Sequence, residues 1–259
     1  MLRADDLRRA ARKRARWARN RLRGTPTRIP DGIKKINRYG RQLTDEQIAA
    51  GRHREVVGGA WDEIGRLQLD YLVHSGLAPS ANLLDVGCGA LRGGVHLAGY
   101  LEPGHYYGID VNESLLRAAL LKELPEAGLA DRVPPENLRV TARFECDFGV
   151  AFDTALAVSV FTHLPLNHIR LCLFQVAAVM APGGRFLATY FPADESAPFD
   201  EPVRQKATRT FPEHDPYHYL PSDLAWAATS VAPWDVRPIG DWGHPRGQHM
   251  IEFVRRADG

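Results

Sequence analysis

The stretch LLDVGCGALRGG, residues 83–94, joins an apolar segment typical of a buried strand directly to a cluster of glycines. Gly87 and Gly89 allow a tight turn and let a ligand approach the backbone, because neither residue has a Cβ. Gly93 and Gly94 fall in the first turn of the helix predicted to follow, where free N–H groups attract an anion. The stretch therefore predicts a strand, a turn and a helix that together bind an anionic ligand.

Strand-like and helix-like segments alternate through the rest of the chain and indicate the fold class. The predicted strands are NLLDVG, HYYGID, LRVTARF, FDTALAVSVF and RFLATYF, and this alternation is typical of a parallel sheet with helices on both faces. Near the carboxyl end, too few residues separate WDVRPIG from HMIEFVRR for a crossover helix, so these two strands must pair antiparallel. We expect an α/β, Rossmann-like, doubly wound sheet with an N-terminal helical extension.

The sequence divides into three parts. Residues 1–28 form a basic arm, helical or disordered, and residues 29–59 hold a linker and a short helix. Thr44 is the predicted N-cap of that helix, and Gln47 completes a capping box. Residues 60–259 form the main domain, which begins with an amphipathic helix.

Composition limits the class and location of the protein. The chain is 44% hydrophobic and 25% charged, and its apolar runs are too short to span a bilayer. No apolar run follows the basic N-terminus, and Cys88, Cys146 and Cys172 have no disulfide-framework or zinc spacing. We expect a cytoplasmic protein with reduced cysteines, peripheral at the membrane if the arm binds lipid.

Charge is distributed unevenly along the chain. Residues 1–28 hold ten Arg and one Lys against two Asp, a net charge of +9, whereas the remainder carries −7. Such an arm fits an anionic membrane surface or a nucleic acid. A solvated, partly helical arm or a contact between copies in a homodimer is the first interpretation, and an anchor to an anionic membrane or a partner is the second.

A carboxylate at the end of the second predicted strand indicates the kind of cofactor. Asp110 lies 23 residues after Gly87, where it can accept hydrogen bonds from two ribose hydroxyls. Arg92 occupies the position where a dinucleotide fingerprint requires its third glycine. We therefore expect an adenosine-type cofactor with an acidic or carboxylate end, and the arginine argues against a nicotinamide or nucleotide-sugar enzyme.

The ordered set LLDVGCGALRGG, YYGIDVN, FDTALAVSVFTHLP and APGGRFLATYF resembles the successive motifs of the class I S-adenosylmethionine-dependent methyltransferases. The resemblance covers roughly residues 60 to 256. It implies a seven-stranded, mostly parallel sheet with an antiparallel last strand, and S-adenosyl-L-methionine as the cofactor. GDWGHPRGQHMIEF and SVFTHLPLNHIRLCL are also similar to bacterial methyltransferases of sugar, glycolipid or secondary-metabolite pathways.

This resemblance assigns parts of the cofactor to residues. Gly87 and Gly89 would lie against the methionine part, Arg92 would pair with its carboxylate, and Asp110 would bind the ribose. The adenine would contact Asp147 and Phe148, although the short connection that follows equally fits a turn role for Asp147. The full set of expected cofactor-binding residues is Asp85, Gly87, Gly89, Arg92, Asp110, Asp147, Phe148 and Ser159.

His163, just beyond the fourth predicted strand, is the candidate catalytic residue. Methyl transfer to a hydroxyl requires a base, and histidine suits that role near neutral pH. The alternative interpretation is that His163 only packs in its loop. Residues 159–163 lack the Asp/Asn-Pro-Pro-aromatic pattern of nucleobase amino methylation, the cysteine of cytosine-carbon methylation and the aspartate of the metal-dependent catechol type.

Histidine, aromatic and arginine side chains near the carboxyl end are expected to form an acceptor pocket by stacking and hydrogen bonding. The alternative is that DWGHPRG is only a rigid hairpin. We expect no metal site, because Pro216 interrupts the one pair of histidines at helical spacing. The expected acceptor-binding residues are His168, Tyr217, His218, Trp242, His244 and Arg246.

The sequence thus predicts an S-adenosylmethionine-dependent methyltransferase that acts on the hydroxyl of a sugar, a glycolipid or another small molecule. Two alternatives stay open at this point. One is an RNA methyltransferase that uses the basic arm, and the other is a module that binds the cofactor without turnover.

Overall fold

The structure of the protein is a computed structural model that describes residues 40–196 and 198–257. The predicted basic arm, residues 1–28, lies outside the described residues.

A mixed sheet forms the centre of the molecule. Parallel pairing joins β1 through β5 in the order β3-β2-β1-β4-β5, and β10 then pairs antiparallel with both β5 and β9. This arrangement confirms the predicted Rossmann-like sheet and its antiparallel last strand. Numbered in chain order, its strands are β1 (Leu83–Val86), β2 (Tyr106–Asp110), β3 (Leu138–Val140), β4 (Phe152–Ala157), β5 (Met180–Pro192), β9 (Trp234–Asp241) and β10 (His249–Arg255).

Three very short strands add to this plan. β8 (His218–Tyr219) pairs parallel with the end of β5 and makes an eighth strand of the sheet. β6 (Val203–Arg204) and β7 (Arg209–Thr210) form a separate antiparallel hairpin. Two residues are too few to show an alternating pattern, so the sequence did not predict these strands.

Helices cover both faces of the sheet. The described helices are α1 (Asp45–Ala49), α2 (Arg52–Val56), α3 (Trp61–His74), α4 (Gly94–Tyr100), α5 (Glu113–Ala118), α6 (Leu124–Glu126), α7 (Leu166–Ala177) and α8 (Pro221–Thr229). A π-helical segment, Ala119–Glu123, connects α5 to α6, and Phe161–His163 forms a 3-10 turn after β4. The predicted capping box of α1 is present, with Thr44 and Gln47 each accepting from the other's backbone N–H.

Alternation along the strands divides the core into two layers. In β5, Phe186 and Ala188 belong to the cluster that contains α7, whereas Leu187 belongs to the cluster that contains α4. Successive side chains of a strand point to opposite faces, so one apolar run supplies both layers. The two layers hold β1, β2 and β4 rigidly at the centre, where their carboxyl ends meet.

Residues 40–59, which we call the cap segment, pack on the main domain. Leu43 and Ile48 are buried against Leu115 and its neighbours, and the Leu43 N–H donates to Ser114 Oγ over 2.9 Å. The Asn112 side-chain amide donates to the Arg41 carbonyl over 3.0 Å. The described part of the predicted linker is thus an ordered layer over α5.

Candidate functional site

The glycine turn after β1 has the geometry that its sequence suggests. Gly87 and Gly89 have φ of 72° and 57°, in the left-handed region that favours glycine. The N–H groups of Gly87 and Cys88 both donate to the Ile109 carbonyl, over 2.8 and 3.1 Å, which holds the turn against β2. A Cβ on Gly87 would lie 2.5 Å from Val160 Cγ2, so a side chain does not fit there.

This turn forms the floor of a cleft at the carboxyl ends of β1, β2 and β4. The strand order reverses between β1 and β4, which is where open α/β sheets bind ligands. The cleft brings together eight of the predicted site residues: Asp85, Gly87, Gly89, Arg92, Asp110, Ser159, His163 and His168. The other predicted residues do not line it: Asp147, Phe148, Tyr217, His218, Trp242, His244 and Arg246.

Asp110 is held in one orientation at the end of β2. One carboxylate oxygen accepts from the Gly89 N–H over 2.8 Å, and the other accepts from the Asn112 N–H over 2.7 Å. Burial raises the pKa of Asp110, while these backbone hydrogen bonds act in the opposite direction. Because each oxygen has a further lone pair, the carboxylate can still accept from a ligand's hydroxyl groups.

Asp85 lies beneath the turn and is only 4% exposed. The Tyr106 hydroxyl donates to its Oδ2 over 2.7 Å. Burial raises the pKa of Asp85 to about 7, against the effect of the Tyr106 hydrogen bond. Asp85 therefore titrates near neutral pH, close to where the ligand would bind.

Arg92 connects the cleft to the cap segment. Its guanidinium Nη1 donates to the carbonyls of Val57 and Gly59, over 2.9 and 3.1 Å. Val57 itself lines the cleft, and a Cβ on Gly89 would lie 2.9 Å from its Cγ1. The cap segment is therefore part of the site wall, which the sequence did not predict.

The buried carboxylate of Glu123 binds two residues of the cap segment. Glu123 is 3% exposed; its Oε1 lies 2.5 Å from His53 Nε2, and the Arg54 guanidinium donates to both of its oxygens over 2.9 and 2.8 Å. Burial raises the pKa of Glu123, but the hydrogen bonds from His53 and Arg54 outweigh this effect and bring the pKa to about 2. No short motif marks this cluster, because about seventy residues separate its members in sequence.

The structure places Asp147 and Phe148 away from the cleft. Asp147 accepts from the Gly149 N–H over 2.8 Å in a local turn and lines a different cavity beside Arg139. The Phe148 ring packs 5.3 Å from the Tyr107 ring, between ring centroids. Asp147 is therefore a turn residue in the structure, which was the alternative to adenine binding.

Other residues beyond β3 line the cleft in their place. β3 ends at Val140, four residues earlier than the predicted strand LRVTARF, so the chain leaves the sheet sooner. Thr141, Ala142 and Phe144 therefore face the cleft, and Phe144 has a left-handed φ of 59°. A predicted strand that ended at Val140 would have placed these three residues in the loop beside the cleft.

A buried polar network supports the end of β4. Ser159 has a φ of 60°, and its N–H donates to Thr189 Oγ1 over 2.7 Å. Gln248 donates to Ser159 Oγ over 3.0 Å and accepts from the Thr189 hydroxyl over 2.6 Å. These bonds offset the strain of a left-handed residue other than glycine, and such strain is common at ligand-binding sites.

His163 lies in the 3-10 turn at the edge of the cleft. Its Nδ1 is 3.1 Å from Asp215 Oδ2. A carboxylate at Nδ1 favours the tautomer with the proton there, and Nε2 is then the proton acceptor of the neutral ring. No sequence motif marks Asp215, which lies 52 residues away in the chain.

The segment around Asp215 is fixed beside this turn. The Tyr217 N–H donates to the Thr162 carbonyl over 2.7 Å, and the Tyr217 and Tyr219 rings stack with their centroids 6.1 Å apart. His218 Nδ1 lies 3.0 Å from Thr210 Oγ1. Tyr217 and His218 thus hold the segment that carries Asp215.

The remaining predicted acceptor residues lie in the loop between β9 and β10. The Trp242 and His244 rings stack with their centroids 5.6 Å apart, and the Arg246 guanidinium donates to the Gly58 carbonyl. His168 is the exception among the predicted acceptor residues, because it lines the cleft, where burial lowers its pKa.

The described residues contain neither a cluster of metal-ligand side chains nor a helix that could span a membrane. No group of three or more His, Cys, Asp or Glu side chains in residues 40–196 and 198–257 is arranged to hold a metal ion. In the same part of the chain, every helix is too short or too polar to cross a bilayer.

Comparison with known proteins agrees with this geometry. Residues 84–186 match the family described as a methyltransferase domain. The fold is similar to that of the magnesium protoporphyrin IX methyltransferase of Synechocystis PCC 6803, solved with bound S-adenosylmethionine. The TM-score is 0.54 at 16% sequence identity, and the match covers 88% of this chain and 92% of that chain.

Two further solved structures share the fold. An S-adenosylmethionine-dependent methyltransferase from Clostridium acetobutylicum ATCC 824 has a TM-score of 0.57 and 12% identity, with 83% of this chain and 100% of that chain covered. The glycopeptide N-methyltransferase MtfA with S-adenosyl-L-homocysteine has a TM-score of 0.53 and 19% identity, with 75% and 90% covered. Residues 84–186 thus match a methyltransferase domain, and the chain shares its fold with solved methyltransferases that bind S-adenosylmethionine or S-adenosyl-L-homocysteine.

Proposed function

We propose that the methyltransferase domain of this chain transfers the methyl group of S-adenosylmethionine to a hydroxyl of a sugar, a glycolipid or another small molecule. The observation that carries the proposal is the His163–Asp215 pair, 3.1 Å apart at the edge of the cleft. A histidine oriented by a carboxylate is suited to remove the proton of a hydroxyl, whose own pKa is too high for it to ionise unaided.

The residues of the cleft fit this cofactor. Gly87 and Gly89 let a ligand approach the backbone, because neither has a Cβ to occupy the space. Asp110 presents an oriented carboxylate at the end of β2. We assign the ribose hydroxyls to Asp110 and the methionine part to the glycine turn. Thr141, Ala142 and Phe144, rather than Asp147 and Phe148, are then the residues for the adenine, because they line the same cleft.

When bound, S-adenosylmethionine supplies an electrophilic methyl group on a sulfonium. The task of this chain is to hold the acceptor oxygen about 3 Å from that carbon, and to accept its proton as the bond forms. His163 takes the proton at Nε2, and Asp215 holds the ring and stabilises the imidazolium that results. The cap segment, which Arg92 holds by two hydrogen bonds, forms part of the cleft wall at Val57.

RNA methylation is the second candidate, and the composition of residues 1–28 favours it. Their net charge of +9 would let the arm follow a phosphate backbone. The −7 of the remaining chain argues against a broad nucleic-acid surface on the main domain. We therefore rank it below the small-molecule hydroxyl.

The proposal is tested with the purified full chain. Calorimetry should show binding of S-adenosylmethionine, and a mass-spectrometric screen over sugar, phenol, amine and RNA acceptors should show a gain of one methyl on a hydroxyl. His163→Ala should lower kcat by about a hundredfold or more at unchanged cofactor affinity. His74→Ala, at an exposed position on α3, is the matched control and should leave kcat unchanged.

Asp215→Asn separates catalysis from packing. Asparagine keeps an oxygen near His163 Nδ1 but removes the charge that stabilises the imidazolium, so kcat should fall about tenfold or more. A loss under tenfold in His163→Ala would show that His163 only packs. Methylation of RNA alone would transfer the function to the second candidate.

A further inference from the structure

Two side-chain donors in the loop between β9 and β10 are buried without a hydrogen-bond acceptor. These are Trp242 Nε1, on a side chain that is 8% exposed, and His244 Nε2, on one that is 0% exposed. Their rings stack 29° from parallel. A buried donor with no acceptor costs free energy, so a ligand that accepts from both rings would stabilise the loop.

The tautomer of His244 follows from its other nitrogen. The Arg246 backbone N–H donates to His244 Nδ1 over 3.3 Å, so Nδ1 carries no proton. Burial, followed by the charges of Arg92 and Arg246, lowers the pKa of His244 to about 4. The ring is therefore neutral at physiological pH, and Nε2 carries the proton and acts as a donor.

Cations surround this loop. The Arg246 guanidinium donates to the Gly58 carbonyl, and the Arg92 guanidinium donates to the carbonyls of Val57 and Gly59. Two guanidinium groups therefore bind one turn of the cap segment. The Lys206 side chain lies against Gly247, and its Nζ is 3.5 Å from Asp241 Oδ2. A ligand that binds here meets donors and positive charge.

A hydrogen bond connects the loop to a residue of the methyl-transfer cleft. The loop ends at Gln248, which hydrogen-bonds to Ser159, and Ser159 and Arg92 both line the cleft. The turn that covers it contains Gly58 and Gly59, with φ of 94° and 66°. Access of a ligand to His244 therefore requires this turn to shift, and neither glycine has a side chain that would oppose the shift.

We propose that the loop Asp241–Gln248 binds an anionic oxygen group of the methyl acceptor, a carboxylate or a phosphate. His244 Nε2–H and Trp242 Nε1–H donate to its oxygens, and Arg246 supplies the charge. The acceptor is accordingly an acidic molecule, such as a sugar acid or a sugar phosphate, with its reacting hydroxyl toward His163. This inference rests on the proposed function for the identity of the reaction, but the anion site can be tested without methyl transfer.

The first experiment is an NMR titration of the full chain labelled with ¹⁵N-histidine. Benzoate and phenyl phosphate should shift the His244 Nε2 signal in a saturable way, whereas neutral benzamide should not. Arg246→Gln should weaken the anion affinity at least tenfold, and Arg256→Gln, whose guanidinium pairs with Asp235 on the outer strand, should leave it unchanged. No saturable shift, or an equal response to benzamide, would overturn the proposal.

Trp242→Phe distinguishes a ligand donor from a structural ring. Phenylalanine keeps the stacked ring but removes the N–H, so anion affinity should fall about threefold or more. Tm should stay equal or rise, because a buried donor without an acceptor has been removed. Unchanged affinity in this variant would contradict the donor role.

Saturating S-adenosyl-L-homocysteine identifies which molecule supplies the anion. Benzoate should still bind in its presence, because the site belongs to the acceptor. Displacement of benzoate would show that the cofactor's own carboxylate occupies the loop, which would overturn the proposal. If benzoate binds as expected but no hydroxyl is methylated in the acceptor screen, the proposed function fails and the anion site stands.

Discussion

Gly87 is under two constraints, its backbone conformation and the space around it. Its φ of 72° disfavours a side chain, and a Cβ would lie 2.5 Å from Val160 Cγ2. Gly87→Ala should destabilise the protein by about 2–4 kcal/mol, the sum of left-handed strain and overpacking. Urea denaturation measures this change, and calorimetry should show cofactor affinity lowered at least tenfold.

Gly99→Ala is the matched control for that substitution. Gly99 is an exposed residue in α4, and a Cβ there would meet nothing within 4 Å. The substitution should stabilise the protein by about 0.5–1 kcal/mol, because alanine loses less backbone entropy in a helix. Similar losses of stability in both variants would contradict the special role of the turn.

Asp85 makes stability depend on pH. Its folded pKa of about 7 lies above the ordinary value of 3.8, so the folded state retains the proton that the unfolded state releases. This group's favourable contribution is complete below about pH 4 and is lost as the pH rises through 7. Asp85→Asn removes the titration and keeps an oxygen for the Tyr106 hydroxyl.

Asp85→Asn should change how the stability of the protein depends on pH. The free energy of unfolding of Asp85→Asn minus that of the parent should be about 1–3 kcal/mol larger at pH 8 than at pH 5. Urea denaturation of both proteins at the two pH values measures it, and titrations elsewhere cancel in the comparison. An equal stability difference at pH 5 and pH 8 would show that Asp85 is ionised throughout.

At the scale of elements, Glu123 attaches the cap segment to the π-helical end of α5. Its buried carboxylate accepts from His53 and twice from Arg54. Glu123→Gln should cost about 2–3 kcal/mol, less than a fully buried pair because the Arg54 side chain is 42% exposed. Hydrogen exchange should increase mainly in residues 43–57, and the cofactor should dissociate faster.

Glu126→Gln provides the comparison on the same stretch of helix. Glu126 pairs with Lys122 at the surface over 2.8 Å, a kind of pair worth about 0.5 kcal/mol or less. It should change neither hydrogen exchange in the cap segment nor cofactor release. If Glu123→Gln behaved like Glu126→Gln, the cap segment would depend on other contacts.

At the scale of the whole molecule, the charge of residues 1–28 predicts a separable function. Their +9 is sufficient to bind phosphate-bearing surfaces, whereas the residues that line the cleft belong to the main domain and, at Val57, to the cap segment. Deletion of residues 1–28 should leave Tm and cofactor affinity unchanged but abolish binding to vesicles that contain anionic lipid. Sedimentation with vesicles at increasing salt measures this, and the full chain should be released as salt rises.

The deletion also has two informative alternative results. Loss of RNA binding instead of vesicle binding would favour the RNA methyltransferase. Loss of neither, with a change from dimer to monomer in sedimentation equilibrium, would make the arm a contact between copies of the chain.

Patterns within single elements were sufficient for much of the fold. The parallel direction of the first strands followed from the alternation of strands and helices, and the short β9–β10 connection required the antiparallel pair. Boundaries were less certain, because propensity changes gradually while hydrogen bonding ends at a definite residue. The predicted end of β3 was four residues too late, and the adenine prediction rested on that boundary.

Local sequence by itself determined the glycine turn and the acid at the end of β2, because each depends on residues close together in the chain. Only the tertiary structure brought Asp215 to His163, Glu123 to His53 and Arg54, and the β9–β10 loop to the cap segment. The separations within these groups range from 52 to 188 residues, and no periodicity spans such distances. Chain packing decides such contacts, because it brings distant segments to one edge of the sheet.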